Sequence, residues 1–252
     1  MIATDSALPI FIGWDVGGWN CDKNPASRDA LVVLDAQRRI LGKPWRGNLQ
    51  RVINQSADTA DFIERMLGLC LLKGCDYTDA PVVLAIDTPL GFSMAFRRLL
   101  LEGQASGPIG NSSSNPYLFR RAEHFLFERG LAPLSAIKDM IGSQATKGMH
   151  VLASFAPQIE HCGVWIDGQQ RLRAIEAYPS ACKHSAVVAG LRATSIPVAD
   201  AGLGHADLDD ALTCAVLAWI FQYQPEQLAQ PEPEVDQREG WIFVPVDGLI
   251  AG

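Results

Sequence analysis

Short apolar runs alternate with stretches of helical period along the chain. Pro9–Asp15, Ala30–Asp35 and Arg39–Trp45 read as three strands able to form a meander. Phe62, Met66, Leu69 and Lys73 recur at helical spacing, with Leu67 and Leu71 widening the stripe. This pattern predicts an amphipathic helix over Ala57–Lys73, ended by Gly74. Pro81–Asp87 is continuously apolar and suits a strand buried on both faces. Met94–Leu101, Tyr117–Arg129 and Gln144–Phe155 are helical, separated by a Gly/Ser/Asn-rich loop over Glu102–Pro116 and a break around Gly130–Pro133. Strand patterning resumes at Gly163–Ile166 and Arg171–Tyr178, joined by a turn at Asp167-Gly168. Helices over Ser180–Ala189 and Ala206–Tyr223 follow, then a Pro- and acid-rich link and a last strand at Trp241–Pro245.

This order predicts an α/β fold with a mixed sheet flanked by helices. Residues 1–252 read as a single domain, with residues 92–160 as a helical insertion. Hydrophobic residues make up 48% of the chain, enough for a core that needs no covalent staple. The six cysteines contain no C-x-x-C pair, which removes zinc-ribbon and thioredoxin-type readings and suits reduced thiols in a cytoplasmic protein. No basic leader precedes the first apolar run, and no apolar stretch is long enough for a membrane span. The net charge of −7 excludes a broad basic clamp on duplex DNA, but not phosphate chemistry carried by bound cations.

The acids stand where a strand or helix ends. Asp15 and Asp87 close apolar strands, Glu176 lies late in its strand, and Asp207 and Asp210 open a helix. A carboxylate at the end of an apolar strand is costly unless solvated, paired or metal-bound. Residues three apart on a helix lie about 60° from each other, so Asp207 and Asp210 share a face and Asp209 points away. Such an oxygen-rich cluster suits Mg²⁺ or Mn²⁺, and two such ions can activate water and stabilise a leaving oxygen at a phosphodiester. Each residue also has a plainer role: Asp207 as a helix cap, Asp87 as a turn former and Glu176 as an ion-paired strand residue. Gly17 and Gly18 form either a simple turn or a close approach to a phosphate. Arg120 either pairs with Glu123 or meets a substrate phosphate, and Lys147 is a further phosphate candidate. His205 reads as exposed or capping, and Cys214 as a small buried hydrophobe.

The segments IGWDVGG, VLAIDTPLGF, FRRAEHFL, AIEAYPSA, HADLDDALTCA and EGWIFVP occur in the order and spacing of domain of unknown function 429. The resemblance spans Ile10–Pro245. That family is similar to ribonuclease H-like nucleases, and the D-x-x-D-A starting at Asp207 also resembles the last acidic motif of Holliday-junction resolvases. The resemblance implies a ribonuclease H-like mixed five-stranded core sheet, with Asp15 as first-strand acid, Asp87 as fourth-strand acid and Asp207 and Asp210 as helical acids. These four are the implied metal ligands, and Glu176 joins them as a catalytic candidate. The implied activity is a metal-dependent nuclease or phosphodiesterase acting on a short nucleic acid or small phosphorylated substrate. Unlike the tight hairpin usual in such folds, Val16–Asp29 is long, and it and the helical insertion are placed to roof the site. An actin-like phosphotransferase using Asp15-Val16-Gly17-Gly18, and a non-catalytic binding module, are the alternatives. A homodimer is left open.

Overall fold

The computed structural model describes residues 8–72, 77, 79–195 and 203–249. Lys73, Gly74 and Cys75 lie outside the described residues, and with them the expected end of the first helix. Among the described residues eight strands share one mixed sheet: β1 (Ile10–Asp15), β2 (Asp29–Leu34), β3 (Trp45–Gly47), β4 (Val82–Asp87), β5 (Gln158–His161), β6 (Val164–Ile166), β7 (Leu172–Ala177) and β8 (Ile242–Phe243). Their order is β3-β2-β1-β4-β7-β6-β5, and β8 also pairs with β7. At the centre β1, β4 and β7 run parallel, while the pairings β1/β2 and β2/β3 on one side and β7/β6 and β6/β5 on the other are antiparallel. Beyond the end of β6, β8 takes over the free edge of β7 as a parallel partner.

The sheet is wider than a five-stranded core, and its outer parts depart from the sequence reading. The third strand starts at Trp45 rather than Arg39. The Asp35 carboxylate accepts from the Gln37 and Arg39 backbone N–H groups and from Arg39 Nε, closing a tight turn. Ile40 then makes only one bridge, to Leu34, and Pro44 has no N–H to offer a ladder. The insertion is not wholly helical, because β5 near its end joins the sheet edge.

Among the described residues the α-helices are α1 (Gln50–Gln55), α2 (Thr59–Leu69), α3 (Met94–Glu102), α4 (Arg121–Phe127), α5 (Gly142–Phe155), α6 (Ala186–Ser195) and α7 (Ala206–Tyr223). The stretch expected to be one helix from Ala57 starts later, where Asp58 caps the Asp61 N–H; α1 was not foreseen. The segment expected as Ser180–Ala189 divides into a 3-10 turn over Pro179–His184 and then α6. Ser185 sits extended between them and accepts from the Val188 N–H, starting the new helix. No helix among the described residues is long and apolar enough to cross a membrane.

Strand alternation divides the core in two. Phe11, Val83, Ala85, Ile175 and Ala177 face α7, whereas Ile10, Ile12, Trp14, Leu84, Ile86 and Ala174 pack with residues of α2 and α5. Stacked rings of Phe62 and Phe155, 4.3 Å apart, join α2 to α5. Leu208, Leu212, Ala215 and Trp219 of α7 are buried core, and so is the thiol of Cys214, as its sequence reading expects. Gly13 allows α7 to lie directly on β1, since a Cβ there would overlap the Ala211 carbonyl oxygen and the Ala215 amide nitrogen. That close crossing brings the acidic start of α7 to the C-terminal end of β1.

Candidate functional site

Asp15 and Asp87 end β1 and β4 and are direct register partners across the parallel pair. Both continue the odd-numbered set that faces α7, so their side chains leave the same face of the sheet. Among the described residues no hydrogen-bond donor or ion-pair cation engages either carboxylate. Burial and the nearby Asp87, Asp207, Asp210 and Asp29 push Asp15 up to about 9. Burial, Asp210 and Glu176 push Asp87 up to about 8. Asp210 is raised too, by burial and by Asp209, with Lys183 and Arg192 pulling the other way. Without a cation beside them, Asp15 and Asp87 are held in the protonated form at neutral pH.

A cleft of about 420 Å³ opens at these strand ends. Asp15, Asp87 and Glu176 line its base, and Val16 and Ser27 reach it from the long loop after β1. Ala132, Pro133, Leu134, Ile141 and Gln144 come from the insertion, so both segments expected to roof the site do border it.

The other predicted residues fall into distinct places. Asp207 is not the helix cap: His205 is, its ring Nδ1 accepting from the Asp207 N–H. The Asp207 carboxylate accepts from Arg46 Nε at 2.7 Å and from the Arg28 N–H at 2.9 Å, tying α7 to β3 and the long loop outside the cleft lining. Asp210 does not line the cleft either, although its charge reaches both strand acids.

Glu176 belongs to the opposite face. It is paired in the sheet with Ile86 and shares the alternation of Leu172 and Ala174, which pack on the α2/α5 side. Arg120 holds it through Nη1 at 2.8 Å and Nη2 at 2.6 Å, and the Leu90 N–H donates to the same carboxylate. Burial raises the Glu176 carboxyl, and the guanidinium offsets part of that rise.

All four residues expected at a substrate phosphate have internal partners. Arg120 is 3% exposed and bridges Glu123 and Glu176, correcting its substrate role. Lys147 is fully buried and ion-paired with Asp29, and its ammonium also reaches the carbonyl oxygens of Gly17 and Gly18 and Asn48 Oδ1. The Gly17 N–H donates to Asp29 Oδ1 at 2.9 Å, and neither glycine lines the cleft. The Gly-Gly element is therefore a braced turn.

Asp29 was missed, although the signal that singled out Asp15 applies to it: an acid bounding an apolar strand. Its buried carboxylate also accepts from Trp14 Nε1 and the Leu49 N–H. This hub ties β1, β2, the start of α1 and α5 together beside the cleft. Thr88, Gln144 and Tyr178, which line the cleft, also went unremarked because uncharged polar residues carry no distinctive spacing.

Among the described residues no group of three or more His, Cys, Asp or Glu side chains stands in metal-holding arrangement. The donor chemistry at the cleft base nevertheless fits a hard divalent ion: two adjacent carboxylates, unpaired and mutually repelling, with a third acid nearby. No family model, curated protein or solved structure matches the chain.

Proposed function

We propose that this protein is a divalent-metal-dependent phosphodiesterase or nuclease with a ribonuclease H-like fold, acting on a short or small phosphate ester. The observation that carries the reading is the side-by-side pair Asp15 and Asp87 at the cleft base, both raised into the range of about 8 to 9 with no cation paired to them among the described residues. The fold assignment is supported by acids on the first and fourth strands, with a closing helix packed across both strands. Five free, buried cysteines among the described residues agree with a cytoplasmic location.

Asp15 and Asp87 would hold Mg²⁺ or Mn²⁺, with Asp210 completing the negative field. Bound there, the ion supplies an activated water and charge stabilisation for the departing oxygen. The chain's own part is positional. Asp15 is held by the Asp29–Lys147 hub through Trp14 and Gly17 on either side of it. Asp87 is held by the adjoining strand and by Leu90, whose N–H is tied to Glu176. The loop and insertion restrict access to a small ester. In the hydrolysis, the water oxygen bonds to phosphorus, the P–O ester bond breaks, and the departing oxygen takes a proton.

The test is a Mn²⁺ titration followed by thermal unfolding, together with hydrolysis of bis(p-nitrophenyl) phosphate and of a dinucleotide. Mn²⁺ raises the melting temperature and supports turnover in the wild type, and Asp87→Asn loses both. A wild-type protein indifferent to Mn²⁺ and Mg²⁺ overturns the metal site.

A further inference from the structure

The acidic base accounts for only one end of the cleft. Thr88 follows Asp87 but leaves the strand on the α5 side; it is 5% exposed, and its hydroxyl has no hydrogen-bond partner among the described residues. Its methyl lies against α5 at Gly148, where an added Cβ would come within 2.7 Å of it. One turn earlier on α5, Gln144 lines the cleft, and its amide has no partner among the described residues. A buried polar group left unpaired is costly, so the orphan Thr88 hydroxyl points to a ligand that pairs with it. Beside Gln144 the wall is apolar over Pro133, Leu134 and Ile141, while Ser27, Ser180 and Tyr178 also line the cleft; the Tyr178 hydroxyl donates to the Ala132 carbonyl at 3.0 Å.

We infer that this wall is a nucleobase subsite, so that the substrate is a phosphodiester that seats one nucleotide unit here, with its phosphate at Asp15 and Asp87. This rests on the phosphate-ester reading of the acidic end. A planar base covers the apolar wall, which a sugar phosphate leaves wet. The glutamine amide presents a donor beside an acceptor, the pattern that pairs with the N6 and N7 edge of adenine. The Thr88 hydroxyl supplies a further hydrogen bond. A cleft of about 420 Å³ is of the size that encloses a small molecule, not a duplex.

The experiment is calorimetric titration of the full chain with adenosine 5′-monophosphate, adenosine and ribose 5-phosphate, each with and without Mn²⁺. Adenosine 5′-monophosphate binds at least about tenfold tighter than ribose 5-phosphate, as one good bidentate base contact provides. Gln144→Ala removes most of that advantage and leaves ribose 5-phosphate unchanged. Thr88→Val, of nearly the same shape, weakens both adenine ligands. Equal affinity for the nucleotide and the sugar phosphate overturns the subsite, as does an equal loss for both in Gln144→Ala, or no binding of any probe. Adenosine binding that falls in Gln144→Ala while neither Mn²⁺ nor Asp87→Asn changes any affinity upholds the subsite and removes the metal reading instead.

Discussion

Asp15 and Asp87 are register partners at the ends of adjacent parallel strands, on one face of the sheet and beneath the start of α7. Two carboxylates so placed repel each other, and burial adds to the cost of ionising either. The pH dependence of stability follows with a definite sign. Their folded pKa values, about 9 and about 8, stand above the unfolded value of 3.8, so the folded state binds more protons across that interval. The contribution of these groups to stability is complete below about pH 4 and is lost progressively as pH rises from there through 8 to 9. Without divalent ions, the melting temperature falls over this window. In Asp87→Asn the fall is shallower, and the variant gains on the order of 2 kcal/mol at pH 8. Urea unfolding at several pH values measures this; a wild-type profile that rises from pH 6 to 9 contradicts the assigned repulsion.

The strand parity of Glu176 predicts a separation of roles. Glu176→Gln retains the Mn²⁺-induced rise in melting temperature, whereas Asp87→Asn loses it. Loss of the Mn²⁺ effect in both variants would return Glu176 to the metal set.

Arg120 compensates two buried glutamates at once. Arg120→Met leaves both without a cation and costs about 3–5 kcal/mol, the scale for breaking a buried pair. Denaturant midpoints report the loss, and a change below about 1 kcal/mol would mean that the triad is solvated.

Lys147→Met strands the Asp29 carboxylate beside the braced turn and is expected to cost about 3–5 kcal/mol. The double variant with Asp29→Asn recovers part of this, because no uncompensated charge remains buried. A double-mutant cycle in urea checks the coupling; simple additivity of the two losses would deny it.

Gly13→Ala forces a methyl into the backbone of α7. The expected cost is at least about 1–3 kcal/mol from overpacking. Because α7 must lift from β1, the Mn²⁺ effect on melting weakens as well. Unchanged stability would place α7 farther from the strand than described.

Local chemistry made several features readable. An apolar run ending in an acid marks Asp15 and Asp87, since the run demands burial and the acid demands an exit from it. The long apolar stretch with helical period from Ala206 to Tyr223 coincides with α7. The turn at Asp167-Gly168 lies between β6 and β7 as its residues require. Short edge elements were less legible. β3 and β5 span three and four residues, too few to show a period, and depend on a neighbour's unpaired edge.

Alternation within a strand was visible before folding, and with it the fact that Glu176 and Ile175 point to opposite sides. Which side is which depends on the register between strands separated by many residues, and hence on whole-core packing. Folding assigns Glu176 to the α5 face and Asp15 and Asp87 to the α7 face. Ion-pair choice is likewise tertiary: Arg120 takes Glu123, three residues away, but also Glu176, while Lys147 reaches across the fold to Asp29. A buried cation must find a buried anion, and chain proximity does not name it. Residue types and local periods thus determine the central strands, the main helices and the supply of carboxylates. The packing of helix on sheet decides which carboxylates remain unpaired to face the cleft.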